Sequence, residues 1–169
     1  MGCLLSLPLS SYLERELRSD HAGETGAVAI YLGIAAVAKW RGNRDLLTFA
    51  HLHGKTEAEH LTLLEMWLPV PMRSALLGPW RLAGWLTGAL PALFGAHAVY
   101  ATIAAVETFV DQHYQQQIDH LVKHGGPEGL LELLRKCQAD EQHHRDEAAA
   151  LAGPALHWLL KAWCWTVGV

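Results

Sequence analysis

KTEAEH, residues 55–60, places two glutamates before one histidine in a segment rich in helix-forming residues. Successive residues of an α-helix are rotated by about 100°, so side chains three positions apart share a face. Glu57 therefore lies beside His60, whereas Glu59 points roughly the other way. The stretch predicts a helix that presents Glu57 and His60 as a pair.

Helical signals extend over most of the chain, and strand signals are scarce. Long segments rich in alanine and leucine are interrupted by glycine and by proline, which cannot continue a helix. The interruptions lie at 41–43, 68–71, 124–127 and 152–154. The predicted long helices cover about 10–40, with a bend near 18–23, then 44–68, 95–123 and 127–151, and a short tryptophan-rich helix follows.

Each long helix carries a carboxylate on its apolar face. Steps of three and four residues along that face reach Glu24 in the first helix, Glu57 and His60 in the second, Glu107 in the third, and Glu141 and His144 in the fourth. Asp140 and His143 form a rival pair in the fourth helix. Their face is polar at both ends and suits solvent, so we favour Glu141 and His144.

The spacing of these carboxylates repeats. Glu57 follows Glu24 by 33 residues, and Glu141 follows Glu107 by 34. Each interval suits a helical hairpin whose second helix returns to the level of the first. Four buried carboxylates would be costly unless cations neutralise them. The pattern predicts an all-α, ferritin-like four-helix bundle with a dimetal centre, formed by a single domain over residues 1–169.

The chemistry of the donors narrows the choice of metal. Carboxylate and imidazole ligands without a thiolate suit iron or manganese better than structural zinc. The alternative, charged helix faces exposed to solvent, must explain why all six residues lie on apolar stripes.

The segment between the second and third helices is unusually apolar. Residues 82–106 contain no Asp, Glu, Lys or Arg, and 25 residues could span a bilayer. Gly84, Gly88, Pro91 and Gly95 interrupt the run, however, and it leads directly into Glu107. We therefore expect a broken insertion, about residues 74–95, that dips into one leaflet or covers an apolar pocket. A buried core helix and a true span are the alternatives.

Composition excludes some partners. The net charge is −4 with histidine neutral, and no basic run exceeds two residues, so nucleic acid is not an expected partner. The three cysteines form no CxxC pair, which favours a reduced, intracellular setting. The first residues, MGCLLS, fit the loose myristoylation pattern, which is common by chance, and they lack the basic region of a signal peptide.

Four segments resemble the demethoxyubiquinone hydroxylases, ferritin-like di-iron enzymes of ubiquinone biosynthesis. They are LRSDHAGETGAV at 17–28, TEAEHL at 56–61, AAVETFVDQHYQQQI at 104–118 and DEQHHRDEA at 140–148. The resemblance implies two iron ions held by the six residues that the stripes select. It also implies a catalytic pair, His113 and Tyr114, which the family associates with substrate and with electron delivery from NADH.

The resemblance also implies a reaction. A reduced di-iron centre would use O2, with NADH or another electron donor, to hydroxylate the ring of demethoxyubiquinone, a polyprenyl benzoquinone. The expected location is a membrane surface, the cytoplasmic face of a bacterial inner membrane or the mitochondrial inner membrane. Further expected partners are a second copy of the chain or other proteins of ubiquinone biosynthesis. The alternatives are a ferritin-like iron-oxidising or peroxide-scavenging protein, and a quinone-binding scaffold of the biosynthetic complex.

Several nearby residues have two interpretations. Asp20 and Asp111 either hydrogen-bond a ligand histidine or are surface helix charges. Tyr31 is assigned to the core, and His53, one turn from Glu57, is left out of the site. The glycines of the first two helices leave room for oxygen or a ring, or else allow close helix packing; these are Gly23, Gly26, Gly33 and Gly54.

Overall fold

The structure is a computed structural model that describes residues 9–153 and 157–168. The segment with the myristoylation pattern and the predicted break at Pro154 lie outside the described residues. The helices are α1 (Ser11–Arg41), α2 (Arg44–Trp67), α3 (Leu77–Phe94), α4 (Ala96–His124), α5 (Leu130–Ala152) and α6 (Trp158–Val167), with a 3-10 turn at Val70–Met72. The all-α prediction is confirmed, and no strand occurs within these ranges.

Local signals set the helix ends close to their predicted places. The side chain of Ser10 accepts a hydrogen bond from the Leu13 amide and caps the start of α1. Gly42 ends α1 in the left-handed region, with φ 69°, where glycine has no steric penalty. Asn43 then caps α2, so two residues suffice to reverse the chain. The bend expected near 18–23 does not interrupt α1.

The four long helices form two hairpins, α1–α2 and α4–α5, that pack into one bundle. Two apolar clusters fill the bundle, one around Tyr31, Phe49 and Ile103 and the other around Leu17, Leu64 and Leu134. Along each helix, the residues predicted as ligands lie between the positions that feed the two clusters. A polar layer is therefore enclosed by apolar packing on both sides.

The predicted broken insertion is instead one continuous helix, α3, from Leu77 to Phe94. Gly84 and Gly88 do not break the helix, because they bring its backbone against α1. A Cβ added to Gly84 would lie 2.4 Å from the Gly26 carbonyl oxygen, and one on Gly88 would lie 2.0 Å from that of Ile30. The segment ends at Gly95, where φ is 110°, so residues 82–106 are not one continuous span.

The opposite face of α3 is exposed, so the alternative of a buried core helix is also wrong. Its large apolar side chains are 39–84% exposed; they are Trp80, Leu82, Trp85, Leu86, Leu90, Leu93 and Phe94. By length and composition alone, α1 is the one helix in the described ranges that could cross a membrane, and 67% of its most apolar window is buried.

The helical glycines are explained mainly by packing. Gly33 accommodates the backbone of α3 at Trp85, and Gly54 accommodates Tyr31, whose Cβ would lie 2.9 Å from an added Cβ. Gly23 has no neighbour within 4 Å.

Helix α6 packs on α4, where the indole of Trp163 donates to the Thr102 hydroxyl at 3.0 Å.

Candidate metal centre

The six residues selected from the apolar stripes are all buried. Their exposed fractions lie between 0 and 4%, for Glu24, Glu57, His60, Glu107, Glu141 and His144. The rival choice in α5 fails because the side chain of His143 is 75% exposed. Glu59 is also exposed, so helix geometry identified the inward glutamate of KTEAEH correctly.

The buried residues form two overlapping groups of four. Glu24, Glu57, His60 and Glu141 offer donor atoms that all lie within 4.8 Å of one another, and so do Glu57, Glu107, Glu141 and His144. Glu57 and Glu141 belong to both groups. Each group thus combines one lone glutamate, one histidine and two shared carboxylates, which could hold two metal ions side by side.

Each histidine faces the shared carboxylate of the other hairpin. His60 Nδ1 lies 2.9 Å from Glu141 Oε1, and His144 Nδ1 lies 2.9 Å from Glu57 Oε1. The contacts within each Glu-x-x-His pair are longer, at 3.7 and 3.4 Å. The centre therefore depends on the pairing of α2 with α5, and neither hairpin contains a complete site.

Many polar atoms in this layer lack a well-formed hydrogen bond. Among the described residues, both carboxylate oxygens of Glu57 and of Glu141 have no hydrogen-bond partner, and neither does Nδ1 of His60 or of His144. Burying such groups unsatisfied is costly. Coordination to divalent cations would satisfy all of them at once, so the donor set fits two metal ions.

The charge balance leads to the same conclusion. Burial raises the pKa of Glu24 and of Glu107 well above the usual range, and the charges of Glu141 and Glu57 raise it further. Burial opposes protonation of His144, but its contacts with Glu141 and Glu57 outweigh burial and raise its pKa to about 9. Protons and metal ions therefore compete for this cluster, and metal binding must release protons.

Asp140 supports one of the two histidines from outside the cluster. Its Oδ2 lies 3.0 Å from His60 Nε2, and Lys136 Nζ lies 3.1 Å from the same oxygen. Such a partner fixes the ring orientation of a metal-binding histidine. Sequence reasoning missed this role because Asp140 occupies the face of α5 that was assigned to solvent.

The two aspartates considered for that role are engaged elsewhere. Asp20 Oδ1 accepts a hydrogen bond from Gln117 at 2.8 Å and lies 3.0 Å from His113 Nε2. The partners of Asp111 are Gln138, Gln142 and Arg145. Neither aspartate pairs with His60 or His144. Asp20 faces the seam between α1 and α4, and Asp111 faces the seam between α4 and α5.

Two tyrosines reach the lone glutamates from the opposite helix. The Tyr114 hydroxyl donates to Glu24 Oε1 at 2.5 Å, and the Tyr31 hydroxyl donates to Glu107 Oε1 at 3.4 Å. Each tyrosine follows the lone glutamate of its own helix by seven residues. That shared spacing is the signal that could have added Tyr31 to the site.

The predicted catalytic pair is divided between two environments. Tyr114 is buried against Glu24, whereas His113 is partly exposed and pairs with Asp20. The contact with Asp20 raises the pKa of His113. His53, which was left out, is buried beside the cluster, with its ring centroid 4.3 Å from that of His144.

Comparison with known proteins links this centre to one family. The sequence model described as "Ubiquinone biosynthesis protein COQ7" matches residues 11–166. The 3-demethoxyubiquinol 3-hydroxylase of Rhodospirillum rubrum is 35% identical over 138 residues, which cover 81% of this chain and 64% of that protein.

Eukaryotic relatives give similar values. The NADPH-dependent 3-demethoxyubiquinone 3-hydroxylase, mitochondrial, of Homo sapiens is 33% identical over 138 residues, covering 79% of this chain and 62% of the relative. The protein of that name from Dictyostelium discoideum is 33% identical over 135 residues, covering 78% and 61%. The chain thus spans less than two thirds of the length of these relatives. The match over nearly all of its helices nevertheless shows that the chain belongs to the ubiquinone biosynthesis protein COQ7 family.

Proposed function

We propose that this protein is a di-iron monooxygenase that hydroxylates the ring of a demethoxyubiquinone-type polyprenyl benzoquinone in ubiquinone biosynthesis. The observation that carries the proposal is the pair of buried four-residue groups that share Glu57 and Glu141. Their carboxylate and imidazole donors suit iron, and similar proteins are named as hydroxylases of ubiquinone precursors.

The roles of the six ligands follow from the two groups. Glu24 and His60 would hold one ion, Glu107 and His144 would hold the other, and Glu57 and Glu141, which belong to both groups, would serve both ions. Bound iron would supply the activation of O2 that ring hydroxylation requires. The apolar clusters above and below the layer keep bulk water away from these side chains.

The tyrosines and His113 would serve the centre in different ways. Hydrogen bonds from Tyr114 and Tyr31 orient Glu24 and Glu107. His113 is partly exposed and contacts Asp20, and Tyr114, the next residue of α4, donates to the proposed ligand Glu24. We propose that this pair conducts electrons and protons from a reduced nicotinamide nucleotide; similar proteins are named as NADPH-dependent.

A membrane surface is the proposed location. A polyprenyl tail remains in lipid while the quinone ring enters the protein, and α3 presents a row of exposed tryptophan, leucine and phenylalanine side chains. Contiguous exposed apolar surfaces mark protein or membrane interaction sites. Trp158 and Trp165 of α6 are exposed as well and suit an interfacial position. We propose peripheral attachment to the inner membrane that holds the quinone pool.

Turnover by the iron-loaded protein tests the reaction. The chain, loaded anaerobically with Fe(II), is mixed with a short-tailed demethoxyubiquinone, oxygen-18 gas, and NADH or NADPH. We expect a hydroxylated ring that carries one labelled oxygen, detected by mass spectrometry. Tyr114→Phe should keep both irons and lower turnover by about tenfold or more, because it removes the hydroxyl that contacts Glu24.

Other outcomes would favour the competing classes. Rapid Fe(II) oxidation or peroxide consumption without hydroxylated quinone would identify an iron-oxidising or peroxide-scavenging protein. Two bound irons without any of these reactions would favour the hypothesis that the protein is a quinone-binding scaffold of the biosynthetic complex.

Glutamate substitutions on the exposed face of α3 test whether this face attaches the protein to a membrane. Leu90→Glu combined with Phe94→Glu should lower binding to phosphatidylethanolamine–phosphatidylglycerol vesicles by about tenfold or more, because both side chains are exposed and burying a carboxylate in lipid is costly. Met66→Glu combined with Val122→Glu is the matched control, since it adds the same two charges at exposed apolar side chains that lie outside α3. Equal vesicle binding by all three proteins would exclude α3 as the attachment surface.

A further inference from the structure

His53 is a buried polar side chain that the proposed reaction does not use. It is 2% exposed, and its Nδ1 has no hydrogen-bond partner among the described residues. Its Nε2 lies 3.2 Å from Glu147 Oε2, but without the geometry of a hydrogen bond. Buried polar groups are satisfied in most proteins, so an imidazole with both nitrogens free requires an explanation.

The position of His53 supplies one. On its inner side, its ring meets that of His144 edge to face, with the centroids 4.3 Å apart, and His144 in turn contacts Glu57. On its outer side stands Glu147, whose side chain is 37% exposed. Glu147 Oε2 is also 3.8 Å from Nε2 of the exposed His143. Imidazole and carboxylate donors therefore form a continuous series from solvent to the cluster.

A metal ion needs such a series to reach this centre. All six proposed ligands are at most 4% exposed, and a divalent ion that leaves water must exchange its hydration shell for other donors. Imidazole nitrogen and carboxylate oxygen are suitable donors for ferrous iron. The apolar clusters at both ends of the layer offer none.

The carboxylate beside His60 is paired with a lysine, whereas, among the described residues, the carboxylate near His144 is not. Asp140, beside His60, is equally close to the surface, but Lys136 lies 3.1 Å from its carboxylate. That ammonium neutralises Asp140 and repels an approaching cation. Glu147 pairs with histidines, and no lysine or arginine bridges it within the described ranges. Of these two approaches within the described ranges, the one beside His144 carries no competing cation.

We propose that His143, Glu147 and His53 form a metal-access route, in which Glu147 and His143 capture a divalent ion at the surface and His53 passes it to Glu57 and His144. The inference rests on the proposed dimetal function. It assigns a role in loading to residues that belong to neither group of ligands.

The rate of metal uptake tests the route. Co(II) is mixed anaerobically with the metal-free chain in a stopped-flow instrument, and the ligand-field absorption of the bound ion reports its arrival in the buried cluster. Glu147→Gln should slow uptake by about tenfold, because it removes a surface carboxylate that attracts cations. His53→Leu should slow uptake by about the same factor, because it removes the donor between Glu147 and His144. Both variants should still bind two Co(II) per chain at equilibrium.

Two exposed residues on the same helices serve as controls. His51→Ala and Asp146→Asn remove a comparable imidazole from α2 and a comparable carboxylate from α5, and both should load like the unmodified chain. Unchanged uptake in Glu147→Gln and His53→Leu, with two ions bound, would overturn the route and leave the dimetal centre standing. Slower uptake with a matching loss of bound metal would mean that His53 only holds His144 in position. That result would also overturn the access route. Fewer than two ions on the unmodified chain would overturn both proposals.

Discussion

Glu57→Ala should empty both metal positions, because Glu57 is one of the two carboxylates that both ligand groups share. After anaerobic loading with Fe(II), we expect about two irons per unmodified chain and close to none in the variant. Quinone hydroxylation should fall by more than about a hundredfold, since even partners outside the coordination sphere affect affinity or activity by up to that factor. Metal analysis and product formation measure the two effects.

Glu59→Ala is the matched control, because it removes a carboxylate two residues away from the exposed face of the same helix. Glu59 pairs with Lys55 at the surface, so its variant should retain both irons and full turnover. Thermal unfolding without metal separates loss of ligands from loss of fold. In the metal-free chain Glu57 contacts His144 at 2.9 Å, so its removal leaves a buried histidine without that partner, and the metal-free variant should unfold at a lower temperature than the metal-free parent but still cooperatively. Iron retained by Glu57→Ala, or lost equally from both variants, would contradict the assignment.

The six candidate ligands could be predicted from sequence because helix periodicity divides residues between faces. Glu57 and Glu59 are two positions apart and so fall on different sides, and apolar neighbours identify the side that is buried. The same rule separated Glu141 from Asp140. Nearly equal intervals of 33 and 34 residues within the two hairpins then predicted that the four carboxylates lie at one level, which the mutual distances confirm.

Contacts between helices were harder to predict, because periodicity assigns a face but not the residue that it meets. Asp140 was assigned to solvent, although it lies at the edge of its face and reaches His60 across the α2–α5 seam. Tyr31 was assigned to the core, and it is in the core, yet its hydroxyl also contacts Glu107. A side chain near the boundary of a helix face can contact either solvent or the polar layer. The packing of the bundle determines which contact it makes.

Helix α3 shows the corresponding limit for local signals. Glycine and proline lower helix propensity, so their spacing between 84 and 95 predicted breaks. In the folded chain, Gly84 and Gly88 instead allow two helix backbones to touch, and that packing outweighs the local penalty. The break occurs only at Gly95, where the left-handed backbone turns the chain from α3 into α4.

Gly88→Ala should therefore destabilise the protein, although alanine is the better helix former. The added methyl group would lie 2.0 Å from the Ile30 carbonyl oxygen, and rigid backbone cannot move aside as a flexible side chain can. We expect the free energy of unfolding to fall by about 3 kcal/mol and Tm to fall by about 10 °C, measured by circular dichroism during heating. Because α3 supplies none of the six ligands, the folded variant should still bind two irons.

Gly78→Ala controls for the change in helix propensity. It makes the same substitution near the start of α3, where no atom lies within 4 Å of an added Cβ, and it should shift Tm by no more than about 2 °C. A difference between the two variants would locate the stabilising contact at the glycine seam between α1 and α3. If Gly88→Ala were as stable as Gly78→Ala, α3 would not pack against α1 through backbone contact, and its exposed apolar face would need a different support.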